Sequence, residues 1–201
     1  MARTKAEHPE RKERLIHAAK DLMLDKGFVA TSVDEICAAA GVTKGTFFHY
    51  FKSKEALGEE LVERFAAHVA EKMREAACCA GDDPLDRFYG CVDLSIKMAD
   101  CQDEKGCLLG TFVQEMHQSH PQIRKLCDKG FNSVLRACKA DLAAARKKYA
   151  PKADIDVEGL AEHFVAITQG SMILMKAKGD RSIMKRALTH YKRYLKSIFG
   201  R

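Results

Sequence analysis

Residues 31–55 read TSVDEICAAAGVTKGTFFHYFKSKE. Ser32-x-x-Glu35 is a capping box, in which the serine hydroxyl and the glutamate carboxylate satisfy backbone amides at a helix start. The helix it opens turns Val33, Ile36, Cys37 and Ala40 inward at 3.6-residue spacing, and Gly41-Val42-Thr43 ends it in a turn. A second short helix follows at once, from Lys44 to Phe51. Two short helices across a glycine-containing turn form the helix-turn-helix pattern. A plain helical hairpin has the same outline, so what the second helix exposes decides between them. Phe47 and Phe51 lie four apart and, with Val42, can bury against neighbouring helices. That leaves Lys44, Gly45, Phe48 and His49 on the opposite side, with Thr43 and Thr46 at the helix start. Lysine, threonine hydroxyls and the amides of a helix start are groups that hold phosphates. Gly45 allows close backbone approach, and an exposed Phe48 fits a thymine methyl or a sugar better than it fits water.

Working outward, the same periodicity continues in both directions. Upstream, Arg11 to Lys26 places Leu15, Ala18, Ala19, Leu22 and Met23 on one face, and Gly27 supplies a left-handed cap. Downstream, Ser53 caps a helix from Lys54 to about Ala80, roughly 40 Å long at 1.5 Å per residue. Pro84, Pro121 and Pro151 punctuate the rest, because proline fits a helix's first turn and clashes inside it. Leu85, Phe88, Val92 and Ile96 form a stripe that ends at the polar loop 100–105. Cys107 to Gln118 makes another helix, and Ile123 to about Lys148 a long one. Asp156 caps Val157–Lys178, and Asp180 caps Arg181–Phe199. The expectation is an all-α chain of about nine helices with no strand alternation.

Residues 11–55 resemble the DNA-binding domain of the TetR/AcrR family of bacterial transcriptional repressors. The matching features are Gly27-Phe28, Thr31-Ser32-Val33, Ile36, Ala39-Ala40-Gly41-Val42, Lys44-Gly45-Thr46-Phe47, His49-Tyr50-Phe51 and Lys54-Glu55. The resemblance implies a three-helix helix-turn-helix domain over residues 1–55 and a helical effector-binding and dimerisation domain over 56–201. It also implies a homodimer on a palindromic operator in double-stranded DNA, released by a small-molecule effector. By position, Thr31, Ser32, Thr43, Lys44, Gly45, Thr46, Phe48, His49 and Lys54 match the family's DNA-facing sites. The family usually has tyrosine where this chain has Phe48, so a hydroxyl bond to phosphate is lost there and an apolar contact is expected.

Charge alone does not carry that binding. The 201 residues have a formal net charge of +6. Residues 1–55 hold ten basic and eight acidic side chains, only +2. Arg3, Lys5, Arg11, Lys12 and Arg14 can form a basic arm, but Glu7, Glu10 and Glu13 interleave with them. The excess lies in residues 176–201, where nine basic side chains face Asp180 alone. There the charges alternate with an apolar stripe, which reads as a solvated helix face. Hydrophobic residues at 46% and charged residues at 31% describe a globular chain. No apolar run approaches the ~20 residues of a membrane span, so the expected location is cytoplasmic, with no membrane partner.

In the second half, Phe88, Tyr89, Cys107, Phe112, Met116, Phe164, Thr168 and Met172 are candidates to line an effector pocket, although most also suit an ordinary core. The chain's eight cysteines include no C-x-x-C pair, so no metal or other cofactor is expected. Cys107 differs from the others. It stands in the first turn of its helix near Lys105, and both a helix start and a cation stabilise the thiolate that reacts with oxidants and electrophiles. Its Gly-Cys-Leu setting is similar to a thiol-sensing branch of the family, so a thiol-reactive electrophile is a second candidate effector. Helices 157–178 and 181–199 are expected to form the dimer as a four-helix bundle. Their stripes are Leu160, Phe164, Ile167, Ser171 and Leu174, and Ile183, Ala187, Tyr191, Tyr194, Leu195 and Ile198. The rival readings are a thiol or metal enzyme using Cys107 with His117 or His120, and a helical adaptor that no longer binds DNA. No nucleophile elbow, phosphate loop or H-E-x-x-H motif supports an enzyme.

Overall fold

A computed structural model describes residues 7–101 and 105–201. Arg3 and Lys5 of the basic arm, and 102–104 of the polar loop, lie outside the described residues. Among the described residues there are nine helices and no strand: α1 (Glu7–Lys26), α2 (Val33–Ala40), α3 (Lys44–Tyr50), α4 (Lys54–Cys79), α5 (Pro84–Asp100), α6 (Leu108–Met116), α7 (Pro121–Tyr149), α8 (Val157–Lys178) and α9 (Ser182–Phe199).

The starts of α2 and α8 follow the capping side chains read from sequence. The Ser32 hydroxyl accepts the Glu35 amide, and the Glu35 carboxylate accepts the Ser32 amide at 2.9 Å, completing the capping box of α2. Thr43 accepts the Thr46 amide at 3.2 Å to open α3. Asp83 caps α5 directly before Pro84, and Asp156 caps α8 through the Gly159 amide. The expected cap of α9 by Asp180 differs: α9 begins at Ser182, its N-cap is Arg181 without a side-chain capping bond, and Asp180 accepts the Ser182 amide at 2.9 Å from one residue further out. Gly41 ends α2 at φ 61°, where its amide bonds to the carbonyls of Ala38 and Cys37. A side chain there would strain the left-handed backbone.

Packing divides the described residues into two units, one within residues 7–66 and 107–130 and the other within 67–101, 105–106 and 131–201. This grouping differs from the division at 55, because α6 and the start of α7 pack with the N-terminal helices. In the first unit Leu15, Met23, Ile36, Phe47, Leu57, Phe112 and Met116 are fully buried. The second unit has its own core around Phe88, Val92, Leu142, Phe164, Leu188, Tyr191 and Leu195. There the rings of Phe88 and Phe164 meet edge to face at 5.5 Å, and the Tyr191 hydroxyl donates to the Leu160 carbonyl at 2.6 Å.

That core corrects the reading of the α8 and α9 stripes. Leu160, Phe164, Ser171, Ile183, Tyr191 and Leu195 are buried within the chain itself. Helical periodicity marks a face that is covered without saying by what, and here α5, α8 and α9 cover one another. The large apolar side chains left exposed on these helices are Ile173, Leu174 and Tyr194, at 52%, 49% and 48%.

Candidate nucleic-acid interface

The interface is built on α3, a helix short enough that burial of one face fixes the other. Phe47 is fully buried and Phe51 nearly so. Their rings lie 5.7 Å apart, with Lys12 of α1 over the Phe51 ring at 5.4 Å. This anchorage turns Lys44, Gly45, Phe48 and His49 to solvent, with Thr43 exposed and Thr46 half-buried at the helix start. Phe48 is 55% exposed, and its ring meets Phe47 edge-on at 5.2 Å. The Lys44 ammonium pairs with Asp34 of α2 at 2.7 Å, an exposed bond that a DNA phosphate can replace. Ser32 is exposed at the start of α2.

Thr31 and Lys54 are placed differently from their expected DNA-facing role. Thr31 is 1% exposed, and its hydroxyl donates to the Gly27 carbonyl at 2.7 Å. The Lys54 ammonium donates to the carbonyls of Phe28 and Thr31 at 2.9 and 2.7 Å and sits over the Phe28 ring at 4.4 Å. Helix termini leave such carbonyls unsatisfied, so these two side chains close the connection from α1 to α2. Register predicts the neighbourhood of position 54 but not the direction of a long flexible side chain.

The connection has a further partner that sequence reasoning missed. The Glu115 carboxylate, on α6, accepts the Val29 amide at 3.0 Å. Phe112 of α6 packs edge-on against Phe28 at 5.4 Å, and His120 lies 5.9 Å from the same ring. The φ of Gly27 is 90°, which strains any other residue, and a Cβ there would come within 2.0 Å of Glu115 Oε1, so the carboxylate would have to leave its place. Glu115 lies 86 residues from Val29, beyond the reach of any local pattern.

The candidate effector residues separate by unit. Cys107, Phe112 and Met116 belong to the first; Phe88, Tyr89, Phe164, Thr168 and Met172 belong to the second. Phe88, Phe112, Met116, Phe164 and Thr168 are buried, and the Thr168 hydroxyl is engaged by the Phe164 carbonyl at 2.8 Å. Tyr89 and Met172 are half-buried. Among the described residues, the Tyr89 hydroxyl is a buried polar atom without a hydrogen-bond partner.

The cysteines also separate. Burial pushes the Cys91 thiol up to about 11 and those of Cys127 and Cys138 up to about 12, and raises Cys37 as well. These thiols stay protonated and unreactive at neutral pH. Cys78, Cys79 and Cys101 are exposed. Cys107 is half-buried as the N-cap of α6, where its sulfur accepts the Gly110 amide at 3.5 Å. His117 and His120 face the Val113 carbonyl and the Ser119 hydroxyl. Among the described residues no group of three His, Cys, Asp or Glu side chains is arranged to hold a metal, and no helix is long and apolar enough to cross a membrane.

Comparison with known proteins agrees with this geometry at both ends of the chain. Residues 15–61 match the model of the tetR family of bacterial regulatory proteins, and residues 84–191 match a tetracyclin repressor-like C-terminal domain. The chain is 25% identical to the transcriptional repressor DhaR of Mycobacterium sp. strain GP1 over 189 residues, covering 94% of this chain and 91% of DhaR. It is 27% identical to the repressor NemR of Escherichia coli K12 over 188 residues, covering 92% and 94%. The crystal structure of E. coli NemR in its reduced form superposes with a TM-score of 0.79 at 24% identity, over 91% of this chain and 95% of that one. A regulatory protein TetR from Rhodobacter sphaeroides superposes at 0.80 with 27% identity, over 90% and 96%. These are regulators rather than enzymes, and they are matched along nearly their whole length. With a helix-turn-helix at its start and the matching C-terminal domain over more than half its length, the chain belongs to the tetR family of bacterial regulatory proteins.

Proposed function

We propose that this protein is a transcriptional repressor that binds a palindromic operator as a homodimer and releases it when an effector acts on the C-terminal part. The observation that carries the reading is the sidedness of α3. Phe47 and Phe51 are spent on the core, while Lys44, Gly45, Phe48 and His49 face outward with Thr43 beside them. Residues 1–55 supply the DNA-binding function, residues 56–201 supply effector binding and the dimer, and the protein acts in the cytoplasm. The α8 and α9 surfaces pair two copies through Ile173, Leu174 and Tyr194. Two-fold symmetry then sets half-sites about one helical turn or a multiple apart, roughly 34 Å.

For release, Cys107 is the favoured trigger and a thiol-reactive electrophile the favoured effector. It caps the start of α6, and the same helix carries Glu115, which holds the Val29 amide beside the helix-turn-helix. A sulfur that accepts an amide at a helix start is stabilised as thiolate. The relative NemR was crystallised in a form described as reduced, which accords with thiol chemistry. A small molecule bound in the second unit is the other reading, with the unpartnered Tyr89 hydroxyl as its hydrogen-bonding anchor.

Selection of duplexes from a randomised pool tests the first claim: a palindromic consensus is expected, and binding that ignores sequence would overturn it. A brief pulse of substoichiometric N-ethylmaleimide followed by mass spectrometry tests the second. Label should reach Cys107 early and release the selected duplex, and Cys107→Ser should resist release. Label confined to Cys78, Cys79 and Cys101, with release unchanged in Cys107→Ser, would remove Cys107 from the mechanism.

A further inference from the structure

Beside α3 lies a cleft of about 610 Å³ with walls from three elements. The α1 wall is Arg11 and Arg14, the turn after α2 gives Gly41, Val42 and Thr43, and α3 gives Gly45, Thr46, His49 and Tyr50. None of these nine lining residues is acidic.

The charge pattern of α1 explains how such a cleft arises from a segment with almost balanced charge. Lys12 pairs with Glu60 of α4 at 2.8 Å, and Arg64 of α4 donates to both oxygens of Glu13 at 2.8 Å. Positions 12 and 13 therefore face α4. Positions 11 and 14, three apart and so adjacent along one side of the helix, face the cleft. Lys12 and Glu13 are engaged by α4, while the two arginines line the cleft. The Arg14 guanidinium crosses the turn at Gly41, with Nη1 3.8 Å from where a Cβ of residue 41 would stand. On the far side of α3's start, Lys44 is held by Asp34.

Resting on the reading of α3 as the DNA-reading helix, we propose that this cleft seats the sugar-phosphate backbone of the strand bordering the groove that α3 enters. Arg11 and Arg14 clamp its phosphodiester oxygens. The guanidinium fork matches the spacing of two phosphate oxygens, and arginine suits such contacts better than a point-charge ammonium does. The cleft shares Thr43, Gly45, Thr46 and His49 with the reading surface, so a strand lying in it runs along the same duplex. In helix-turn-helix proteins the first helix of the motif, here α2, crosses the backbone, and the turn that ends it lines this cleft.

Contacts of this kind fix position and carry no sequence information, which makes them separable from base contacts. The probes are a duplex enriched by the wild-type protein from a randomised pool and a scrambled duplex of the same composition, each titrated across a salt series. Arg11→Gln and Arg14→Gln should each weaken binding to both duplexes by the same factor, about tenfold. The slope of log affinity against log salt should become shallower by about one for each arginine removed. Arg14→Lys keeps the charge and should keep the slope, which distinguishes a lost phosphate contact from a damaged fold. Wild-type affinity and slope in both glutamine variants would overturn the proposal. So would a selective loss on the enriched duplex, which would make the arginines readers of bases. If the wild-type protein enriches no sequence, the reading of α3 fails, while the arginine effect on the scrambled duplex still decides the cleft.

Discussion

Lys44 and Lys54 carry the same charge into different surroundings. Lys44 makes one exposed ion pair with Asp34, while Lys54 satisfies two backbone carbonyls and covers the Phe28 ring. An exposed pair contributes at most about 1 kcal/mol, whereas bonds from a charged donor to otherwise unsatisfied acceptors contribute about 1.5–3 kcal/mol. Lys44→Ala should therefore leave the melting temperature close to wild type and weaken binding to every DNA sequence. Lys54→Ala should lower stability by about 2 kcal/mol, read by denaturant unfolding, and its loss of DNA binding should track loss of the folded domain. The family resemblance matched both lysines, together with Thr31, to DNA-facing sites by position. Helical register was enough to place Lys44, Phe48 and His49 on the exposed side, because the buried Phe47 and Phe51 define the opposite one. Neither register nor position shows that the Thr31 and Lys54 side chains bond backbone carbonyls near the end of another helix.

At the scale of elements, the capping residues were legible because a cap is a contact between residues two or three apart. The acid response of the helix ends follows from them. The Lys26 ammonium, with the Ser32 amide and hydroxyl, holds the Glu35 carboxyl at about 2, and Ser182 with Arg186 holds Asp180 at about 2. Both folded values lie below those of the unfolded chain, about 4. Their contribution is complete above that value and is lost as pH falls towards 2. Amide resonances of Ser32 and Ser182 followed by NMR should show the starts of α2 and α9 loosening in that window, and no change above pH 5 or so. The docking of α6 against the turn after α1 was not legible, since it joins residues far apart in sequence. A double-mutant cycle measures it. Gly27→Ala is expected to destabilise by about 1–3 kcal/mol, from the positive φ and from collision with the Glu115 carboxylate. In a Glu115→Ala background the steric part disappears, so the same substitution should cost less. Equal costs in both backgrounds would show that backbone strain alone makes the position glycine.

For the whole molecule, the apolar stripes of α8 and α9 carried two meanings that periodicity could not separate. Leu160, Phe164, Tyr191 and Leu195 recur at helical spacing because their own chain covers them. Leu174 and Tyr194 belong to the same stripes by spacing, yet together with Ile173 they stay exposed, and the Tyr194 ring lies 5.9 Å from His163, joining the two helices on the exposed side. Large apolar side chains at about half exposure on adjacent helices are what an unpartnered interface leaves. Because they are not core, a charge placed there should act on association and not on folding. Leu174→Glu is therefore expected to sediment as a monomer with unchanged helical content, with its α3 residues still in place. A monomer engages only one half-site and forfeits the gain from linked binding, which reaches 10²–10⁴-fold, so its affinity for a palindromic duplex should fall to that for a single half-site. If Leu174→Glu remained a dimer with full operator affinity, the interface would have to lie away from this surface of α8 and α9.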